Sequence, residues 1–323
     1  TDGSYVETTA PTSYAQVASG SWSMYGVVYN TVDGDLELSG VIDPATTFDV
    51  STAVYSQGFS VTSQDTNPLG IAFNTDGTKM FIVGGTGDDV NEYTLSTGFD
   101  VSTSTFVDAF SVAAQEINPN GIAFNTDGTK MFIVGTTGQD VNEYALSTGF
   151  DVSTASFTDS FSVAAQETGP TAIEFNTDGT KMFIVGYIGD DVNEYTLSTG
   201  FDVSTASFVD SFSVASQETF PRGIAFNTAG TKMFISGTSS DAVNEYTLST
   251  GFDVSTASFV DAFDVSAHAA FAQGIAFNAD GSKMFVVDPS SDTIYQYSVG
   301  SFVSPSGYQP VHTTASIDTT YWT

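Results

Sequence analysis

Short apolar runs separated by polar turns recur along most of this chain, and their length suits strands better than helices. Gly70–Asn74 (GIAFN) and Lys79–Val83 (KMFIV) are apolar without polar alternation, the pattern of strands covered on both faces. Val90–Leu95 (VNEYTL) and Thr105–Val112 (TFVDAFSV) complete a set of four, lettered A to D. Between A and B, Asp76-Gly77 supplies residues able to take positive φ, which a tight hairpin requires. Strand C is reached through GGTGDD and strand D through STGFDVST. The runs are rich in β-branched and aromatic residues, so helix fits poorly.

The whole set repeats. Phe73–Phe81 (FNTDGTKMF) returns at Phe124, Phe175, Phe226 and Phe277, with a spacing of 51 residues each time. A unit of roughly 40 to 50 residues with four antiparallel strands is the signature of a β-propeller blade. The regular part opens with a strand D at Val54–Val61, runs A-B-C-D four times and ends A-B-C at Gly274–Val299. The fold expected is therefore all-β, with five four-stranded antiparallel blades, the first strand D completing the last blade and leaving no unpaired edge there. A six-bladed ring, with Ser21–Ile42 and the C-terminal tail as a degenerate blade, is the alternative.

Residues 1–47 and 300–323 do not fit the repeat, which occupies 48–299. The first flank holds strand-like segments at Ser21–Asn30 and Gly34–Ile42 around a turn at Asp33-Gly34. Phe48–Thr52 (FDVST) and Phe302–Ser306 (FVSPS) are remnants of the same C–D loop. The flanks are thus expected to leave the ring side by side on one face and to pair into a small β stem, with a larger parent protein continuing beyond. The chain begins without Met and shows no signal peptide, which reads as a mature or trimmed fragment.

The FNTDGTKMF hairpin resembles the F-x-P-D-G-x-x hairpin of YVTN, NHL and TolB-like propeller repeats, with Asn74-Thr75 where many of those carry Ser-Pro. The whole unit, including NEYTLSTGFDVSTASF, is similar to the long propeller repeats of marine bacterial surface proteins and of phage virion (tail or appendage) proteins. The resemblance spans residues 48–299. The motif is specific for propeller architecture; with the stem on one face and variable loops on the other, the role expected is a non-enzymatic structural or adhesion module, extracellular, on the cell surface or in a virion. Propellers also serve as enzymes, so the site must decide function. Members related to lactonases use His, Glu, Asp or Arg at the channel mouth, which makes a metal-dependent hydrolase the alternative.

Charge narrows the partners. Six cationic side chains face 38 carboxylates, a formal net charge of −32, which repels nucleic acid and anionic lipid. No cysteine is present, so thiolate chemistry and thiol metal sites are excluded. No run approaches the ~18 apolar residues that span a bilayer, so no membrane insertion is expected.

The five copies differ by face. The A–B and C–D loops, which share one face, are nearly identical among copies; the D–A and B–C loops on the other face diverge. The D–A loops place Leu69, Asn120, Thr171, Arg222 and Gln273 at one equivalent site near the channel mouth, and these are the candidate ligand contacts, with Arg222 the only arginine. The expected partner is a surface glycan or a protein receptor. No cofactor is expected; the one candidate ion is Ca²⁺, at Asp88-Asp89, Asp190-Asp191 and the single carboxylates Asp140, Asp241 and Asp292, although the loops lack calcium-loop spacing. Lys79, Lys130, Lys181, Lys232 and Lys283, one per blade, are read as offsetting nearby carboxylates such as Asp76. Glu92, Glu143, Glu194 and Glu245, with Gln296 in the fifth copy, are read as structural, and His268 and His312 as a loop and a tail histidine without a placed nucleophile.

Overall fold

The computed structural model describes residues 26–29, 36–39, 41–42 and 46–303. They fall into two units, the propeller at Thr46–Gly300 and a smaller unit formed by the flanks. In the flanking unit Gly26–Tyr29 pairs antiparallel with Leu36–Ser39, and Val41–Ile42 with Phe302–Val303. The Asp33-Gly34 turn lies outside the described residues.

The propeller has five blades, each a four-stranded antiparallel sheet in the order A-B-C-D. In blade one the strands are Pro68–Phe73, Lys79–Gly84, Asp89–Leu95 and Ser104–Ser111. Blades two to four repeat this at Pro119–Ser162, Pro170–Ser213 and Pro221–Asp264. Blade five takes A, B and C from Ile275–Phe277, Lys283–Asp288 and Thr293–Ser298, and its D from Val54–Ser60 near the other end of the chain. The ring therefore closes by sheet pairing, and its two ends meet at one C–D position, where Gly300 N donates to Thr52 Oγ1 over 2.7 Å.

The unalternating strands are those buried between blades. Met80, Phe81, Ile82 and Val83 are all fully buried, and so are Met182, Phe183, Ile184 and Val185 of blade three. One seam packs Ile71, Met80, Ile82 and Tyr93 of blade one against Phe285, Val287 and Ile294 of blade five. Each such side chain contributes about 1.5–3 kcal/mol on burial, so the seams carry much of the stability.

The loops of the uniform face are built to one plan. The hairpin glycine is held at positive φ (71° at Gly77), and a Cβ there would lie 2.2 Å from the ring of Phe99. Phe99 itself takes φ 55°, and its N–H donates to Gly77 O, so the C–D loop folds back onto the A–B hairpin. Asp100 then caps a short 3₁₀ turn at Val101–Thr103 by accepting from Ser102 N. Phe150, Phe201, Phe252 and Phe48 repeat the first of these arrangements, each seated on its hairpin glycine.

The lysines correct one expectation. Lys79 does not pair with Asp76, whose carboxylate is taken by Thr78. Its Nζ lies 2.7 Å from Glu92 of strand C and 2.5 Å from the carbonyl of Phe150 in the next blade's C–D loop. Glu92 accepts the N–H of Val152 in that same loop. The staple recurs as Lys130–Glu143, Lys181–Glu194 and Lys232–Glu245, the last holding Phe48 O and Val50 N across the closing seam. At Lys283 the carboxylate is replaced by Gln296, which accepts from Val101 N while Lys283 donates to Phe99 O. These glutamates are thus buried inter-blade connectors, a role set by their contact with the neighbouring blade.

Candidate functional site

The channel is the natural place to look for a site, and its two ends differ. Strand A of each blade lines it. Toward the uniform face it widens into a cavity of about 350 Å³, walled by Ala72 and Phe73 and their equivalents in every blade, with the Asn74 and Thr75 positions at the rim. Toward the variable face it pinches to about 20 Å³, close to the room one water needs.

Of the five D–A positions singled out from sequence, Asn120 and Arg222 line the pinch, and Leu69, Thr171 and Gln273 sit beside the glycine or alanine that does. The side chains of Asn120 and Thr171 are spent on holding blades to one another, and Leu69 and Gln273 join blades through their backbone carbonyls. Gly274 N donates to Leu69 O, Asn120 Nδ2 to Pro170 O, and the buried Thr171 hydroxyl contacts Val185 O and Pro221 O. Gln273 O accepts from Ser236 Oγ. Arg222 differs: it is half-buried, and its buried Nε lacks a hydrogen-bond partner. Its guanidinium carbon lies 4.8 Å from the ring centroid of Tyr187 in the B–C loop of blade three. Tyr187 in turn stacks with Phe220, at 6.4 Å between centroids and 22° between planes. Phe220 and Ile188 beside them are 46% and 60% exposed, so an aromatic and aliphatic patch carrying one cation stands on the variable face.

The carboxylates of this face are largely structural. Asp88, Gln139, Asp190, Asp241 and Asp292 occupy one equivalent position and all take φ between 47° and 55°, a left-handed conformation that Asp tolerates. Asp89, Asp140 and Asp191 form the next position, each accepting from an Asn two residues on. Among the described residues, no three His, Cys, Asp or Glu side chains gather to hold a metal ion.

A second carboxylate set was not singled out from sequence. Asp65, Glu116, Glu167 and Glu218 are buried in the D–A loops and bind N–H groups of their own loop and the neighbouring B–C loop. Glu116 accepts from Asn118 N, Thr137 N and Gly138 N. At Glu218 the cost of burial is outweighed by hydrogen bonds from Ser239, Ser240 and Phe220, and its carboxyl is held below the usual range. The Asp65 side chain is one methylene shorter; one of its oxygens lacks a partner, and burial raises its carboxyl to about 6. In blade five the acid is replaced by Ala269, and Asp288 stands where the other blades have glycine. Asp288 accepts from Ala270 N and Ser290 N, so the same loop is capped from the opposite strand. The signal was a paired departure from the repeat, readable only once the two positions are known to touch.

Two further departures stand out. His268 takes the position of Gln64, Gln115, Gln166 and Gln217, whose side chains accept from the buried tyrosines of strand C. It stacks on Tyr55 at 3.7 Å, and Tyr297 OH is left without a partner. His312 lies outside the described residues. The other departure is Glu174, the one charged residue at the position of Ala72, Ala123, Ala225 and Ala276, on the wall between the wide and narrow parts of the channel. Burial raises its carboxyl to about 7, partly offset by the N–H of Phe175. Its signal in the sequence was the single IEF among four IAF strands.

No protein-family model matches the chain, and no curated protein matches it in sequence. Among solved structures it is similar to a protein of unknown function from Desulfotomaculum acetoxidans, at 13% identity and TM-score 0.43 over 73% of this chain and 69% of that one. A proposed 6-phosphogluconolactonase from Bacteroides uniformis shows 12% identity and TM-score 0.46 over 86% of this chain and 74% of that one. The β-propeller domain of Myceliophteria thermophila Cps50 (Swd1) shows 11% identity and TM-score 0.43 over 72% and 82%. At such identities no functional residue carries over.

Proposed function

We propose that this propeller is a non-enzymatic binding module of an extracellular, cell-surface or virion assembly, and that it takes a surface glycan on its variable face at Tyr187, Ile188, Phe220 and Arg222. The observation that carries the reading is the Arg222–Tyr187–Phe220 stack. Sugar rings lay their C–H faces on exposed aromatic side chains, and a guanidinium offers several directed N–H donors to hydroxyl or carboxylate oxygens. The patch is assembled from a B–C and a D–A loop, the two loop classes in which the copies differ, whereas the uniform-face loops spend their side chains on the blade plan itself.

A glycan array probed with the full chain tests it. Binding to at least one glycan class is expected, lost by about tenfold or more in Arg222→Ala and Phe220→Ala, with thermal melting of both variants measured alongside to show that they are folded. Absence of glycan binding, or wild-type binding by both variants, would overturn the proposal, as would hydrolysis of a bound ligand that stops on adding chelator.

A further inference from the structure

We propose that the central channel binds a small organic cation, of the alkylammonium class, with Glu174 meeting its charge and the phenylalanines of the channel wall surrounding its alkyl groups. The cavity opens on the face opposite the glycan patch.

Three observations lead there. The first is the cavity itself, about 350 Å³ and open toward the uniform face, within the usual range for small-molecule sites. The second is its lining, in which Phe73, Phe124, Phe175, Phe226 and Phe277 ring the wall. Aromatic side chains attract a cation through their quadrupole, most strongly where water is displaced. The third is Glu174, which breaks the five-fold identity of the wall with one carboxylate. Among the described residues, Glu174 and Arg222 are the only titratable groups lining the channel, and Arg222 belongs to the narrow end alone. A buried carboxylate without a countercharge is costly to ionise, and a bound cation reduces that cost.

The chemistry of the wall selects the kind of cation. A hard ion such as Ca²⁺ needs six to eight oxygens, and around Glu174 the equivalent positions are alanines. The rim amides are engaged: Asn74 Nδ2 donates to Thr78 Oγ1, and its Oδ1 accepts from Lys79 N, a pattern repeated in the other blades. A weakly hydrated alkylammonium needs no such shell. The excess of 38 carboxylates over six cations also raises the local concentration of any cation at the mouth. Because burial lifts the Glu174 carboxyl to about 7, the cation competes with a proton, and binding tightens as pH rises through that value.

Calorimetric titration of the full chain with tetramethylammonium chloride and with choline chloride, at about pH 6 and about pH 8, tests the site; 3,3-dimethylbutan-1-ol serves as the neutral isostere of choline. Saturable binding of an ammonium is expected at the higher pH, several-fold weaker at the lower, and at least about tenfold tighter than the alcohol. Glu174→Ala restores the residue that the other four blades carry, so folding should survive; it should weaken the ammonium by about tenfold or more and abolish the pH dependence. Glu174→Gln should weaken it as well. No saturable heat up to about 10 mM ligand, equal binding of the alcohol, or an unaltered Glu174→Ala variant would overturn the proposal. So would displacement of the ammonium by Na⁺ or Ca²⁺ acting at Glu174.

Discussion

Glu245→Ala at the closing seam offers the sharpest test of how the ring is held. Glu245 is nearly inaccessible, its Oε1 2.7 Å from Lys232 and its Oε2 3.1 Å from the N–H of Val50. Truncation leaves that buried N–H without an acceptor, at about 1–3 kcal/mol, and deprives the ammonium of one charge-assisted bond. Lys232 keeps its bond to Phe48 O and is about a quarter exposed, so water recovers part of the second loss. The sum comes to about 2–4 kcal/mol, a large fraction of the roughly 5–15 kcal/mol that stabilises ordinary domains. For a domain of this size that is a fall of about 5–15 °C in melting temperature. Blade five supplies the control, since Gln296 stands at the glutamate position and still accepts the loop N–H. Glu245→Gln should accordingly lose less than about 1 kcal/mol. Urea unfolding followed by circular dichroism and tyrosine fluorescence measures both variants. Equal midpoints for the alanine and glutamine variants would refute the staple as an energetic element.

Three other outcomes are expected. Gly179→Ala places a Cβ at φ 71° and 2.2 Å from the Phe201 ring, and should cost about 2–4 kcal/mol in urea unfolding, whereas a neutral result would mean the loop moves freely off the hairpin. Asp288→Gly removes the cap of the blade-five loop; Ala269→Glu added to it recreates the arrangement of the other blades, and a double-mutant cycle should show a favourable coupling of about 1 kcal/mol or more. The Asp65 carboxyl, raised by burial to about 6 from 3.8, holds its proton more tightly in the folded chain than in the unfolded one. Its contribution to stability therefore falls as pH climbs from about 4 to about 6 and stays lowered above that. Asp65→Asn should thus melt above the wild type at about pH 8 and converge with it near pH 4; a gap that widens toward low pH would contradict the sign.

Much of the architecture could be read from the chain because it is written in local pattern. Unalternating IAF and MFIV runs mark strands buried on both faces, Asp76-Gly77 marks the hairpin, and a strand D with no partners of its own at Val54 implies an A-B-C blade lacking its fourth strand. The five D–A positions could be recognised as equivalent points of a repeat for the same reason, and two of them, Asn120 and Arg222, line the narrow end of the channel. What they do there was not legible. Whether Thr171 faces a ligand or spends its hydroxyl on Pro221 O is decided by the next blade, 50 residues further along.

The same holds for charges. Composition suggests that each lysine offsets a nearby carboxylate, and nearness in sequence points to Asp76, three residues away. In the ring the partner is Glu92, and the bond that matters most crosses to Phe150, 71 residues on. Glu174 is a one-letter departure from a repeat until five strands converge and enclose it. The sequence by itself determined the strands, their number and the closure of the ring, since these follow from short-range periodicity and turn chemistry repeated five times. Only the tertiary structure decided which end of the channel is open, which carboxylates are spent on backbone N–H groups and which one faces a cavity. Those outcomes depend on contacts between blades, and closing a ring of a given curvature sets them.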